Sequence, residues 1–251
     1  MDKQFQIGQI ARFFNLPAST LRYWESEGIL STNKNANNNY REYTISDLMT
    51  LSDVIFYKNL GIPLKQIRDM EKAAPSEHER LLNMKIGELE CQQQQIQRQI
   101  EKIHCHLAAI ETLKQLQLHP YTETDIDTEC IVSFDLIEIE KLKQYIENPY
   151  LYSRIQHSGN FKKERRGLTI PPEQLACYPQ SQILWKKSQN SYIACLLKEE
   201  ITEGFPNNLE KLLSHIQKRH RTGFIISRFL LCAQEDGKLY DFYKTFVEIL
   251  D

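Results

Sequence analysis

The 251-residue sequence lacks several features that would assign it to a class at once. Its six cysteines form no Cys-X-X-Cys pair, and no run approaches the roughly 18 apolar residues of a membrane helix. Its nine glycines are not clustered into a phosphate-binding loop. A net charge of −2 gives no hint of a nucleic-acid or membrane partner. With 41% apolar and 25% charged residues, the composition is typical of an ordinary globular protein and excludes disorder.

The beginning of the chain also lacks a targeting signal. The segment Met1–Phe5 has no apolar stretch of the kind found in a signal peptide. Cysteines without paired spacing favour reduced thiols. We therefore expect a cytoplasmic protein without a membrane partner.

Residues 76–118 contain no proline, no aromatic residue and a single glycine. Their apolar residues recur in alternating steps of three and four, which indicates a coiled-coil helix. At about 1.5 Å per residue this helix would be about 64 Å long, too long to be buried in a small domain. We expect it to form a homodimer, because no second segment carries a matching heptad; the alternative is a helix that folds back on its own chain. The predicted seam consists of Leu82, Ile86, Leu89, Ile96, Ile100, Ile103, Leu107 and Ile110, with Gln93 and Lys114 filling two further seam positions.

The long helix separates two pieces of different character. Residues 1–75 contain short helical patterns, whereas residues 121–251 contain alternating apolar runs typical of strands. His119-Pro120 is expected to end the helix, since proline cannot continue it. The sequence thus predicts an α+β protein with parts at 1–75, 76–120 and 121–251.

The segment 7–24 fits a helix-turn-helix. Asn15 can adopt the left-handed conformation that the turn requires, and Pro17 can begin the second helix. Apolar residues at helical spacing form the core side of that helix, so Arg22 and Tyr23 point outwards. Arginine can pair with phosphate or guanine and tyrosine with phosphate, which suits a DNA groove. The alternative is a small helical pair with no role in DNA binding.

A polar, asparagine-rich segment follows at 31–44 and ends in Tyr40-Arg41-Glu42-Tyr43. Two short arms around a turn, with an arginine and tyrosines at the base, predict a wing that contacts the DNA backbone. Ser46 is expected to be the N-cap of the next helix. After the break at Gly61-Ile62-Pro63, a further helix is expected at 64–73.

This order of residues resembles the MerR family of bacterial transcription regulators. The resemblance covers the first 75 residues and extends through the coiled coil. Trp24 stands where a second tyrosine is common, which preserves the packing of that side chain but removes support for a phosphate contact. The motifs that carry the resemblance are Phe5-Gln6-Ile7-Gly8-Gln9-Ile10-Ala11, Thr20-Leu21-Arg22-Tyr23-Trp24-Glu25, Gly28-Ile29-Leu30, Tyr40-Arg41-Glu42-Tyr43 and Lys58-Asn59-Leu60-Gly61-Ile62-Pro63-Leu64-Lys65-Gln66-Ile67.

The resemblance implies a homodimer whose antiparallel coiled coils place two winged domains on double-stranded promoter DNA. Members of the family bind an over-long promoter spacer. On sensing a ligand they bend and untwist it so that RNA polymerase can engage, which is readout by deformation. By motif position, the residues implied to contact DNA are Thr20, Arg22, Tyr23, Tyr40, Arg41 and Lys58.

The C-terminal 131 residues are where this family senses its ligand. Strands are predicted at 130–139, within 161–187 (two), at 192–201, 224–233 and 239–250, and helices at 140–156 and 207–220. Asp236-Gly237 is a good hairpin turn between the last two strands. A strand-helix-strand-strand unit thus occurs twice. This plan is similar to the GyrI-like effector-binding domain of multidrug-sensing MerR regulators.

That similarity implies a pocket between the two halves of the domain. Aromatic rings there could stack on an aromatic or amphipathic small-molecule effector, or bind a cation over their faces. Arg228 occupies a strand on which such domains often place a carboxylate. An inward Arg228 would favour an anionic or neutral effector, an outward one would only be solvated, and Glu199 or Glu200 could still supply an acid. The candidate pocket residues are Tyr150, Tyr152, Tyr178, Trp185, Tyr192, Arg228 and Tyr243.

Catalytic and metal motifs give no support to an enzyme. His104-Cys105-His106 does not predict a metal site, because adjacent residues on a helix point in different directions and zinc needs converging ligands. No nucleophile elbow occurs, so we expect no catalytic residue and no cofactor. Two alternatives stay open: a C-terminal domain that serves as a protein-interaction or structural module without a ligand, and a GyrI-like hydrolase fused to a DNA anchor.

Overall fold

The computed structural model describes residues 4–30, 33–34, 41–70 and 73–250. They form two compact units, residues 1–96 (unit 1) and 97–251 (unit 2). The boundary falls within the long helix, so the predicted three-part division at 75 and 120 stays a prediction. None of the helices in the described ranges has the length and apolarity to cross a membrane.

Unit 1 begins with the helix-turn-helix. Its elements are β1 (Phe5–Gln6), α1 (Ile7–Phe13), α2 (Ala18–Ser26), β2 (Asn33–Lys34), β3 (Arg41–Tyr43), α3 (Ile45–Asn59) and α4 (Leu64–Met70). The strands form an antiparallel sheet in the order β1-β3-β2, and β1 was not foreseen from the sequence. Asn15 has a φ of 51°, which confirms the left-handed turn between α1 and α2.

In the core of unit 1, α2 packs against α1, α3 and β3. Ile10, Leu21 and Trp24 are buried together with Tyr43 and Leu51. The burial of Trp24 confirms that its side chain packs. Because one side of α2 is committed to this core, its other side must face outwards.

The start of α3 differs from the sequence prediction. Thr44 is the N-cap: its hydroxyl accepts from the backbone N–H of Asp47, whose carboxylate accepts in turn from the Thr44 N–H. The prediction of Ser46 as N-cap was wrong, because Ser46 lies in the first turn. The reciprocal pairing of Thr44 with Asp47 satisfies two backbone donors that Ser46 could not.

The long helix α5 (Pro75–Leu118) was predicted correctly, including its end before His119-Pro120. The seam residues do not all have the same surroundings. Leu82 packs against the core of unit 1 and Ile110 against a core of unit 2. The seam residues exposed in the single chain are Ile86, Leu89, Ile96, Ile100, Ile103 and Leu107.

Unit 2 is built on one eight-stranded sheet. Its elements are β4 (Thr122–Thr124), β5 (Cys130–Ser133), α6 (Ile139–Glu147), β6 (Tyr152–His157), β7 (Arg165–Ile170), β8 (Ile183–Lys186), β9 (Tyr192–Glu200), α7 (Leu209–Ile216), β10 (Thr222–Glu235) and β11 (Lys238–Ile249). The strand order is β4-β9-β11-β10-β6-β7-β5-β8. The predicted repeat is confirmed as β5-α6-β6-β7 and β9-α7-β10-β11. In each repeat the third strand lies between the first and second, and the repeats join through β6 and β10.

The largest error in the predicted elements lies in the first repeat. The helix predicted at 140–156 ends at Glu147, and Tyr152–His157 is the strand β6. Pro149 cannot continue a helix, and Asn148 accepts a hydrogen bond from the backbone N–H of Tyr150 to start a tight turn. The strand predicted at 130–139 is also shorter than expected and ends at Ser133.

The sheet of unit 2 is covered on both faces. Adjacent strand residues point to opposite faces, and Ile225 and Ile226 belong to two different core clusters. Four buried side chains of α7 fill the cluster of Ile225. Ala109 and Leu116 of α5 fill that of Ile226. We call these the α7 face and the α5 face.

Candidate functional site

The outward side of α2 carries the side chains that the sequence proposed for a DNA groove. Arg22 and Tyr23 are exposed, and Thr20 is half-buried near the start of the helix. Lys58 is exposed in the last turn of α3. Tyr40 lies outside the described residues. The two side chains of α2 are therefore presented by a helix whose other side is fixed in the core.

The base of the wing is held by a carboxylate of α2. Glu25 accepts a hydrogen bond of 2.8 Å from the hydroxyl of Tyr43 and forms an ion pair with Arg41. Burial, and then the adjacent Glu25, raise the pKa of Tyr43, so the phenol stays protonated and keeps donating. Arg41 is thus oriented by its own chain, and its contact with DNA stays a prediction.

A cleft of about 740 Å³ opens on the α7 face of unit 2, where the two repeats meet. Of the seven candidate residues, Tyr152 and Tyr243 lie in it. The ring of Tyr152 packs edge to face against Tyr145 and Phe134, and the ring of Tyr243 packs against Phe229. The full lining is Phe134, Asp135, Leu136, Tyr145, Tyr152, Arg154, Lys162, Glu164, Arg166, Phe229, Asp241 and Tyr243.

A buried ion pair ties the two repeats together at this cleft. Arg154 of β6 donates two hydrogen bonds, of 2.7 and 2.6 Å, to the carboxylate of Glu199 of β9. Its guanidinium also bonds the hydroxyl of Tyr243, lies over that ring at 4.2 Å and reaches Glu164 at 3.4 Å. The side-chain amide of Asn207 donates to Glu199 at 3.1 Å. Glu199, named from the sequence as a possible acid for an effector, is therefore already neutralised by Arg154.

The carboxylate of Asp241, which lines the cleft, is not neutralised as that of Glu199 is. No basic side chain within the described ranges forms an ion pair with it, and its carboxylate accepts from Tyr243 at 3.4 Å. Burial raises the pKa of Asp241, although Arg154 opposes the shift. The lining of the cleft thus combines aromatic rings with Glu164, which is paired with Arg154 and Arg166, and with Asp135 and Asp241, which form no ion pair within the described ranges.

Replacing Asp241 with asparagine is expected to stabilise unit 2 near neutral pH. Because the folded-state pKa is raised, the folded protein holds this proton more tightly than the unfolded chain. The carboxylate therefore costs stability as the pH rises through that window, and the cost vanishes below the unfolded pKa. Thermal unfolding of both proteins from pH 4 to pH 8 checks this. Melting temperatures that differ equally at every pH would contradict it.

The other candidate effector residues lie elsewhere, which corrects their predicted position. Trp185 and Tyr192 are buried in the core of the α5 face. Tyr178 packs against a separate cluster. Tyr150 bonds Nδ1 of His106 at 2.6 Å. None of these rings lines the cleft, because their positions in the strands and turns point them to other surfaces.

Arg228 is a largely buried residue with its own partners outside the cleft. Its guanidinium pairs with Asp127 at 3.1 Å and donates to the Thr128 hydroxyl at 3.0 Å and to the Tyr150 carbonyl at 2.9 Å. Arg228 and Lys244 lower the pKa of Asp127 against the effect of burial. Arg228 therefore anchors the segment before β5 and does not face the cleft.

Sequence reasoning missed most of the cleft. Phe134, Tyr145 and Phe229 are as aromatic as the residues that were chosen, but they lie after β5, on α6 and on β10, so no single sequence pattern groups them. Arg154 gave no signal, because the sequence prediction placed it in the helix 140–156. Among the described residues, no three His, Cys, Asp or Glu side chains are grouped to hold a metal ion.

Unit 1 contains a helix-turn-helix and a short antiparallel sheet, followed by α3, α4 and the first part of the long helix α5. The family model described as MerR HTH family regulatory protein matches residues 5–74. The chain is 30% identical over 90 residues to a transcriptional regulator ZntR homolog of Haemophilus influenzae, covering 34% of this chain and 67% of that protein. This chain belongs to the MerR family.

Two further similarities cover parts of the chain. The transcriptional activator TipA of Streptomyces coelicolor is 31% identical over 93 residues, which is 34% of this chain and 37% of TipA. The chain therefore matches little more than a third of the length of that relative. The crystal structure of the N-terminus of MtaN, the Bacillus subtilis multidrug transporter activator, aligns with 40% of this chain and 94% of its own at a TM-score of 0.37 and 23% identity.

Proposed function

We propose that the protein is a transcriptional regulator that binds promoter DNA as a dimer and distorts the spacer to control RNA polymerase in response to a small molecule. The observation that carries the proposal is the pair Arg22 and Tyr23, exposed on a helix whose other side is buried, inside the segment matched by the family model. Family membership supports the regulatory role. The proposal includes no catalytic step.

The charge of residues 1–75 indicates how DNA would be held. Residues 1–75 carry nine basic and eight acidic side chains, so affinity must come from a few placed cations and not from a diffuse field. Each phosphate contact adds about 0.9 to the slope of log affinity against log salt, so few contacts give a shallow dependence. Dimerisation doubles those contacts and supplies the missing affinity.

Replacing Arg22 with alanine is expected to weaken promoter binding by about 1–3 kcal/mol, the usual loss for an arginine that reads a base or phosphate. Titration of the promoter fragment at fixed salt measures it. Arg80→Ala is the matched control, because Arg80 is exposed and paired with Glu77 on α5. Unchanged affinity for Arg22→Ala would refute the assignment of α2 as the recognition helix.

The cleft on the α7 face supports effector sensing over a purely structural domain. Its volume of about 740 Å³ falls within the range of about 300–1,000 Å³ typical of small-molecule sites. The rings of Phe134, Tyr145, Tyr152, Phe229 and Tyr243 favour an aromatic or amphipathic effector. Since Arg154 already neutralises Glu199, we propose that a positive group is recognised by Asp241 and Asp135, the lining carboxylates that form no ion pair within the described ranges.

A further inference from the structure

A second pocket, of about 240 Å³, lies in unit 1. Helices α3 and α4 and the start of α5 supply its lining, together with Ile29, which follows α2. We call it the three-helix pocket. All its lining residues belong to unit 1, so the pocket is a property of that unit alone. They are Ile29, Thr50, Asp53, Val54, Tyr57, Ile67, Arg68, Met70 and His78.

The floor of the three-helix pocket is apolar. Ile29, Val54, Ile67 and Met70 line it, and each of these side chains is 5% exposed or less. The first three also belong to the hydrophobic core of unit 1. Because core packing fixes these side chains, the floor is formed in advance and can receive an apolar group without rearrangement.

One wall of the pocket consists of the rings of Tyr57 and His78. Nε2 of His78 donates to the Met70 carbonyl at 2.9 Å, and Nδ1 lies 3.4 Å from the Tyr57 hydroxyl. The two rings meet edge to face, with their centroids 6.2 Å apart. The polar atoms of this wall therefore have partners within the protein, which leaves the ring surfaces to contact a ligand.

The charged residues of the lining are not equivalent. Arg68 donates to the Glu27 carbonyl at 3.2 Å and pairs with Asp69 at 3.7 Å, so its charge is balanced from outside the lining. Asp53 is exposed and forms no ion pair within the described ranges. An unpaired carboxylate at the rim of an apolar pocket is suited to a positively charged donor.

We propose that the three-helix pocket binds a small protonated amine that carries one compact apolar group. The apolar group packs on the floor and against the two rings, and the ammonium donates to Asp53. The pocket is smaller than the roughly 300 Å³ minimum of a typical small-molecule site, which limits the apolar group to about a single ring. Since the ligand contacts α3, α4 and α5 at once, it stabilises their arrangement. The inference stands on unit 1 alone and goes beyond the proposed effector cleft of unit 2.

The test follows isotope-labelled methionine methyl groups by NMR in the full-length protein, with benzylamine as the probe. Met70 lines the pocket, whereas Met49 and Met84 are 68% and 55% exposed and lie outside its lining. The Met70 signal is expected to shift saturably, with a dissociation constant of about 1 mM, the scale for a single-ring ligand. The signals of Met49 and Met84 should stay in place.

Asp53→Asn is expected to weaken benzylamine binding about fivefold, the upper scale for a solvent-exposed ion pair. The matched control is Glu79→Gln, which removes an exposed carboxylate of α5 outside the lining and should bind like wild type. Benzyl alcohol, which is neutral and of similar size, should bind wild type as weakly as benzylamine binds Asp53→Asn.

Three results would overturn the proposal. The first is a Met70 signal that does not move, or that moves only together with those of Met49 and Met84. The second is equal affinity of wild type and Asp53→Asn for benzylamine. The third is equal affinity of wild type for benzylamine and benzyl alcohol, which would make the pocket a site for apolar molecules without recognition of charge.

Discussion

Aspartate in place of Ile96, Ile100 and Ile103 is expected to convert the protein to monomers and to lower promoter affinity at least about 100-fold, the scale of lost bivalency. In the single chain these side chains are 56%, 41% and 58% exposed, although they lie at the seam positions of a heptad. Burying an isoleucine contributes about 1.5–3 kcal/mol, and an unpaired carboxylate in its place opposes burial. Sedimentation velocity and promoter titration measure both effects.

A control for this variant places aspartate at Gln94 and Gln95, which lie on the outer face of the same helix and are exposed. It adds negative charge to α5 without touching the seam, so it should remain dimeric. A dimer that survives the three seam substitutions would refute the coiled-coil assignment. A monomeric wild-type protein would favour the alternative, in which the long helix folds back on its own chain.

Local patterns explain why α5 and the helix-turn-helix could be predicted. In α5 the same heptad spacing of apolar residues recurs over many turns, so every turn gives further evidence for a helix. In the helix-turn-helix, Asn15 and the buried Leu21 and Trp24 mark one turn and one core side. These features depend on neighbours within a few residues, so they can be predicted from the local sequence.

The strand β6 shows where local patterns fail. Tyr152–His157 is short, and its apolar residues Tyr152 and Ile155 stand three apart, a spacing that fits the continuation of α6 better than the alternation of a strand. Pro149 was the available signal, since a helix could not pass it. Placing this segment in a helix removed Arg154 from consideration, and with it the central side chain of the cleft.

Aromatic residues in unit 2 show a second limit. Trp185 and Tyr192 are fully packed in the core, whereas Phe229 and Tyr152 line the cleft, although all four stand on strands. The order of the strands in the sheet decides which face of a strand is covered by a helix and which face borders the junction of the repeats. Residues far apart in the sequence decide that order, as in the joining of β6 to β10.

Replacing Arg154 with methionine is expected to destabilise unit 2 by about 3–5 kcal/mol, because it leaves Glu199 buried without its counter-charge. Glu199 and Arg154 are both less than one-tenth exposed, and the pair joins β6 of one repeat to β9 of the other. The pKa of Arg154 is raised by Glu199 despite the opposing effect of burial, so the guanidinium is charged in the folded protein. Thermal unfolding should show a melting temperature lower by about 10 °C.

The double variant Arg154→Met/Glu199→Gln separates loss of charge balance from loss of packing. With no buried charge left uncompensated, it should recover most of the stability lost in Arg154→Met, since replacing both members of a buried pair is often close to neutral. Promoter binding by unit 1 should survive in all three proteins, because the pair lies wholly in unit 2. A double variant as unstable as Arg154→Met would show that the contacts of Arg154 with Tyr243 and Glu164, and not its pairing with Glu199, hold the two repeats together at the cleft.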